Sequence, residues 1–155
     1  MRARDKGYYQ QSADECFQAV LCTYFQIDPD HADAPPRTHI DKRLAAGEDP
    51  ASVLGDVDTQ IRRWLRRRGV RPVFTRRITR VMREEAKWIG VVEFPGVAND
   101  HCFLMSHERI VWDPVQGGKW LMSMSPGLVA PEGMRPAFFT VDDVTLALLF
   151  RQRRN

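Results

Sequence analysis

Residues 88–114 read WIGVVEFPGVANDHCFLMSHERIVWDP, and the fold class turns on them. The runs WIGVVEF, HCFLMS and RIVWDP are rich in β-branched and aromatic residues, the composition that suits a pleated, half-buried surface. PGVAND separates the first run from the second, and the short turn His107-Glu108 separates the second from the third, so the spacing predicts consecutive antiparallel strands. Upstream of Trp88 the period is helical instead. In CFQAVLCTYF, Phe17, Val20, Leu21 and Tyr24 recur at i, i+3, i+4 and i+7, which predicts a helix from about 13 to 26 that closes near Asp28-Pro29. Residues 28–55 carry turn chemistry, with one or two helical turns in HIDKRLAAG. Val57, Ile61, Trp64 and Leu65 predict a second amphipathic helix over 57–68, with Asp56 as cap and Gly69 as stop. VRPVF is short and extended, and Ile78, Val81, Met82 and Ala86 mark a third, shorter helix. Downstream, QGGKW through PEGMRP is loop-rich, and FFTVDDVTLALLFR (138–151) admits a capped helix or a closing strand, with helix the preferred reading. Helices followed by sheet, with no internal repeat, give an α+β fold. The expected organisation is one domain over 1–155: a helical part at about 12–87, a sheet part at about 88–120, and a tail, 121–155, left unassigned.

The chain has 155 residues, 43% hydrophobic and 28% charged, which suits one globular domain and excludes a disordered chain. No run approaches the ~20 apolar residues of a membrane span. The polar start MRARDKGYYQQ lacks the apolar centre of a secretory signal, so the expected address is cytoplasmic, with no membrane partner. Three cysteines, Cys16, Cys22 and Cys102, form neither a disulfide framework nor a zinc pattern. The formal net charge is +3, yet residues 62–83 hold ten arginines and no acid, leaving 13 basic against 20 acidic residues elsewhere, or −7. Much of that acid sits in residues 5–58, where eleven acids face four bases.

Cys16 is the cysteine whose setting suggests chemistry. Ser12-Ala13-Asp14-Glu15 has the form of a capping box, which places Cys16 in the first turn of a helix. Unpaired amides and the helix dipole stabilise a thiolate there. Cys22, six residues on and flanked by Leu21 and Thr23, reads as an ordinary core thiol. A thiolate nucleophile needs a base, and the base needs an orienting partner. His101 opens one strand and Asp113 ends the next, so a hairpin about His107-Glu108 brings both to the same open end. Gln10, or its neighbour Gln11, lies just before Cys16, where a side-chain amide can donate to an oxyanion. Elsewhere the signals are weaker. Gly117-Gly118-Lys119 lacks the spacer of a phosphate loop. His31 and His39, near Asp28, Asp30, Asp33 and Asp41, are too irregularly spaced for a metal site. No cofactor or metal is expected.

Together, QQSADECFQAVL and DHCFLMSHERIVWDPVQGG resemble the papain-like cysteine peptidase superfamily. The likeness is greatest to its bacteriocin-leader-peptidase-like branch and to small papain-like proteins of phages and actinobacteria, and it covers residues 8 to about 120. The resemblance implies Cys16 as nucleophile, His101 as general base and then acid, Asp113 as orienter, and Gln10 with the Cys16 amide as oxyanion hole. It implies a nucleophile helix packed on a mostly antiparallel sheet. The expected function is a cysteine-dependent acyl-transfer hydrolase, peptidase or deamidase-like, using a Cys-His-Asp triad on a protein or peptide. The branch usually has glycine after the cysteine; here Phe17 stands there, a bulky ring at the cleft. That departure favours an alternative, a weak or inactive papain-like binding protein of phage or mobile-element origin that contacts a host protein. The arginine block, lying between nucleophile and base, reads as a basic rim suited to an acidic substrate or partner. Nucleic acid is the less favoured partner, because Trp64 belongs to an apolar stripe and is expected to be buried, where it cannot stack on bases.

Overall fold

A computed structural model describes residues 5–9, 15–93, 100–114 and 140–154. In chain order the elements are α1 (Cys16–Phe25), α2 (Ile40–Ala45), α3 (Pro50–Arg67), β1 (Val70–Thr75), α4 (Ile78–Glu84), β2 (Trp88–Val92), β3 (His101–Ser106), β4 (Arg109–Trp112) and β5 (Leu146–Gln152), with a single 3-10 turn at Val141–Asp143 before β5. The strands form one antiparallel sheet in the order β1-β5-β2-β3-β4. The fold is therefore α+β, as expected from the change of period at Trp88.

Both faces of the sheet are covered. Ile89, Val91, Cys102, Leu104 and Leu148 face α1, packing on Cys16, Val20 and Leu21. Trp88, Val92, Phe103, Met105, Ala147 and Leu149 alternate with them and face Val81 of α4. The α3 side is closed by Trp64 and Leu65, which pack with Val70, Phe25 and Phe150. This two-sided burial explains why β2 and β3 read as apolar runs rather than as alternating strands.

Three expectations about element limits are corrected. The long helix begins at Pro50, not at residue 57, because Asp49 caps it: its carboxylate accepts from the Ser52 amide at 2.9 Å, and Pro50 occupies the first helical position. Asp56, the expected cap, lies inside α3 and takes an ion pair from Arg43 at 2.6 Å. Gly69 does stop the helix, with φ +72°. The segment at 138–151 is not a helix where it is described. Thr140 and Asp143 form a genuine capping box, but it closes only one 3-10 turn. The chain then enters β5, whose neighbours β1 and β2 bury Ala147, Leu148 and Leu149. An apolar run enclosed on both sides carries no period by which sequence could separate helix from strand. Finally, VRPVF is β1, an edge strand of the sheet, so the helical and sheet parts interleave rather than follow each other.

Candidate active site

α1 starts at Cys16 with Glu15 as its N-cap residue, two to three residues later than the 13–26 helix expected. Glu15, as N-cap, makes no capping bond from its side chain; Ser12, the other half of the expected capping box, lies outside the described residues, as do Gln10 and Gln11. Glu15 is 4% exposed, and its Oε2 has no hydrogen-bond partner among the described residues.

The Cys16 thiol donates to the carbonyl of Asp100, the residue just before β3, at 3.4 Å. Around it stand Cys102 and His101. The Cys102 thiol donates to Cys16 and stabilises its charged form; burial opposes ionisation, and hydrogen bonding and charge from His101 add to the stabilisation. The sum holds the Cys16 thiol well below the ordinary range, at about 5. The same contact pushes the Cys102 thiol well above its usual value, with burial acting in the same direction, so Cys102 remains a protonated donor.

His101 is fully buried, and its Nε2 lies 3.1 Å from Asp113 Oδ1. Burial disfavours the imidazolium, but Asp113 and Cys16 outweigh it and the pKa is raised. Because Nε2 faces Asp113, Nδ1 is the ring nitrogen left on the Cys16 side. An edge-to-face contact with the Phe103 ring, centroids 4.7 Å apart at 89°, fixes the imidazole plane.

A bulge in the β3–β4 hairpin makes the His101–Asp113 contact. Ser106 pairs with Arg109 and Met105 with Ile110, but Leu104 pairs with Trp112, so the register slips by one residue between Met105 and Leu104. Without the slip, Asp113 would stand opposite Cys102 and point to the α1 face. With it, the register continues to place Asp113 opposite Phe103, on the side chain face that His101 shares. The hairpin turn is the expected one, with His107 in the left-handed region at φ +47°.

The β4 edge is closed by residues 5–9. Tyr8 N–H donates to Thr23 Oγ1 at 2.9 Å, Trp112 Nε1 donates to the Tyr8 carbonyl at 3.0 Å, and Gln26 bonds both the amide and the carbonyl of Lys6. Gly7 lies flat on the Trp112 indole, where a Cβ would come within 2.4 Å of the ring. This strap delivers the chain toward Glu15 and Cys16.

The structure thus brings Cys16, His101 and Asp113 together. Phe17 is half-buried and packs against the core cluster that includes Cys16. Cys22, fully buried in the same helix, is pushed up to about 12 by burial and by the charge of Asp28. His31 accepts from the Asp33 amide through Nδ1 at 3.0 Å, and no group of three or more metal-binding side chains occurs among the described residues. Gly117-Gly118-Lys119 lies outside them. No described helix is long and apolar enough to cross a membrane. Trp64 is buried at 3% exposure, as expected, with its Nε1 on the Asp33 carbonyl. The arginine block is split by the fold: Arg66, Arg67 and Arg68 lie at the end of α3, beside the β1 and β5 termini away from Cys16, whereas Arg76 pairs with Glu93, next to Val92, which lies opposite His101. Sequence reasoning missed Cys102. The signal for it was strand alternation, since the residue after His101 must face the opposite side of β3, toward α1. No family model, no curated protein and no solved structure matches this chain.

Proposed function

We propose that this protein is a cysteine-dependent acyl-transfer hydrolase of papain-like type, acting on a protein or peptide acyl bond. The observation that carries the reading is the contact chain from Asp113 through the buried His101 ring to the Cys16 thiol at the head of α1. A nucleophile helix packed on an antiparallel sheet accords with the same reading.

The chemistry follows from the charges. With Cys16 lowered and His101 raised, the resting state between the two pKa values is a thiolate beside an imidazolium. The thiolate attacks the acyl carbon. Negative charge developing on the acyl oxygen meets the Cys16 backbone N–H, one of the first-turn amides that lack an intrahelical acceptor, with the Gln10 amide as the second donor that the resemblance supplies. His101 then gives its proton to the leaving nitrogen, and the C–N bond breaks to leave a thioester. Neutral His101 takes a proton from water as the water attacks, and keeps it as the acid leaves and the thiolate is released, which restores the thiolate beside the imidazolium. Asp113 holds the ring and offsets its charge throughout.

Digestion of a denatured-proteome peptide library tests this, with products read by mass spectrometry over pH 4 to 9. New termini, or glutamine converted to glutamate, are expected from the natural chain and absent with Cys16→Ala and with His101→Ala. The rate rises as pH climbs through about 5 and falls as His101 loses its proton, above the ordinary imidazole range. No product at any pH, together with equal slow alkylation of all three cysteines, would overturn the proposal.

A further inference from the structure

The ten-arginine block is not uniform once folded. Arg62 pairs with Asp58 at 2.7 Å, Arg76 with Glu93 at 2.7 Å and Arg80 with Glu84 at 3.1 Å. Beyond the block, Arg43 takes both Glu48 and Asp56, and Arg151 takes Glu85. The block's other seven arginines have no ion pair among the described residues and are exposed: Arg71, Arg77 and Arg83 are spread over β1, the turn after it and α4, whereas Arg63, Arg66, Arg67 and Arg68 are gathered at the end of α3. Arg63 and Arg67 are one helical turn apart, a like-charge spacing that destabilises a helix.

The fold adds to this concentration from the other end of the chain. Val70 pairs with Gln152, and the Arg153 amide donates to the Gly69 carbonyl at 2.9 Å. Exposed Arg153 and Arg154, likewise without an ion pair, are therefore laid against the end of α3. Six guanidinium groups from segments more than 80 residues apart share one end of the sheet. The Arg68 guanidinium is also positioned, 4.8 Å over the Trp64 ring and 5.4 Å over Phe25. A hollow of about 330 Å³ opens beside it, lined by Ala32, Asp33, Trp64, Arg67 and Arg68, with the Asp33 carboxylate in no ion pair to either arginine.

We infer that this arginine corner binds the phosphate backbone of a nucleic acid, without reading its sequence. Two observations choose phosphate over an acidic protein surface. Protein partners are held through apolar anchors buried at the centre of the contact. The exposed large hydrophobics among the described residues, Tyr9, Leu54 and Phe74, all lie elsewhere: on the strap, in the first turns of α3, and far along β1. The corner's own aromatic, Trp64, is buried beneath Arg68. A phosphate backbone needs neither anchor nor stacking platform; it needs guanidinium groups, which grip phosphate oxygens in bidentate fashion. The burial of Trp64 therefore removes base stacking and leaves backbone binding intact. The corner is also separate from the thiol. Val91 pairs with both Cys102 and Leu146, so the start of β5 lies at the Cys16 end, and its other end, at Gln152, lies about 20 Å away at the strand rise.

Fluorescence anisotropy with a labelled 24-base-pair DNA duplex and an RNA of equal length tests the inference at 50 and 200 mM KCl. Binding is expected to weaken roughly a hundredfold between the two salts, the fall that about four neutralised phosphates give. The combined variant Arg66→Gln, Arg67→Gln, Arg153→Gln should bind more than tenfold more weakly at 50 mM and show a flatter salt dependence. The control Arg80→Gln, Arg83→Gln, Arg109→Gln, which removes the same charge elsewhere, should bind as the natural chain does, with circular dichroism confirming that both variants fold. Absence of binding at 50 mM, or equal loss in variant and control, overturns the inference. Poly-glutamate of matched charge that binds as tightly, with the same arginine dependence, would also overturn it and assign the corner to an acidic protein.

Discussion

The two ends of α1 carry the same functional group in opposite states. Cys16 and Cys22 are both buried, at 5% and 0% exposure, and lie within ten residues of one helix. Burial raises both thiols, so burial does not tell them apart. Neighbours do. Cys16 meets the Cys102 thiol, the His101 ring and the Cys102 backbone amide, and falls to about 5. Cys22 meets apolar side chains and the charge of Asp28, and rises to about 12. A reactive cysteine is thus made by the donors gathered around it rather than by its depth, and the gathering is done by β3, which contributes both His101 and Cys102.

The largest expected effect breaks this comparison directly. At pH 7 the thiolate fraction favours Cys16 over Cys22 by about 10⁵, while the lower nucleophilicity of the less basic thiolate gives back about 10³. Iodoacetamide should therefore label Cys16 roughly a hundredfold faster, followed peptide by peptide in the mass spectrometer; equal rates would erase the distinction. Next, Cys102→Ala removes the leading donor to the Cys16 thiolate. The thiolate absorbance titration of Cys16 should move to higher pH by at least one unit, leaving at most about half of the thiol ionised at pH 6. Cys102→Ser, which keeps a donor, should restore much of the shift; a titration unmoved by Cys102→Ala would remove Cys102 from the account. The smallest effect sharpens the comparison by sparing it. Gly7→Ala drives a methyl group into the Trp112 ring and should cost about 1–3 kcal/mol of stability, read as a lower Tm, with the Cys16 to Cys22 labelling ratio unchanged.

Much of this geometry could be anticipated because it is local. The apolar stripe of one helix, a two-residue turn and residues at the ends of two adjacent strands place Cys16, His101 and Asp113 by short-range rules. What stayed hidden was long-range or irregular. The one-residue slip at Leu104–Met105 that turns Asp113 toward His101 has no mark in HCFLMSHERIVWDP. The Cys102 contact requires knowing that α1 lies on that face of β3. Asp49-Pro50 did carry a helix-start signal, but it sat among turn residues of the same chemical type and was outweighed by the stronger apolar stripe from Val57. β5 was ambiguous for another reason: its assignment depends on two flanking strands, one of them 75 residues upstream.

The position of β5 has a consequence for how the chain comes to be folded. Of the described strands it is synthesised last, yet it stands second in the sheet, bonded to β1 on one side and β2 on the other. Until residues 146–152 leave the ribosome, β1 with α3 forms one fragment and the β2–β3–β4 meander another, each with an exposed strand edge. Native contacts that span this much sequence slow folding, and open edges in the meantime invite association with other chains. Assembly of the sheet is therefore expected to wait for β5, and the nucleophile, made before all five strands, acquires its rigid setting only when that strand slots between two partners already waiting.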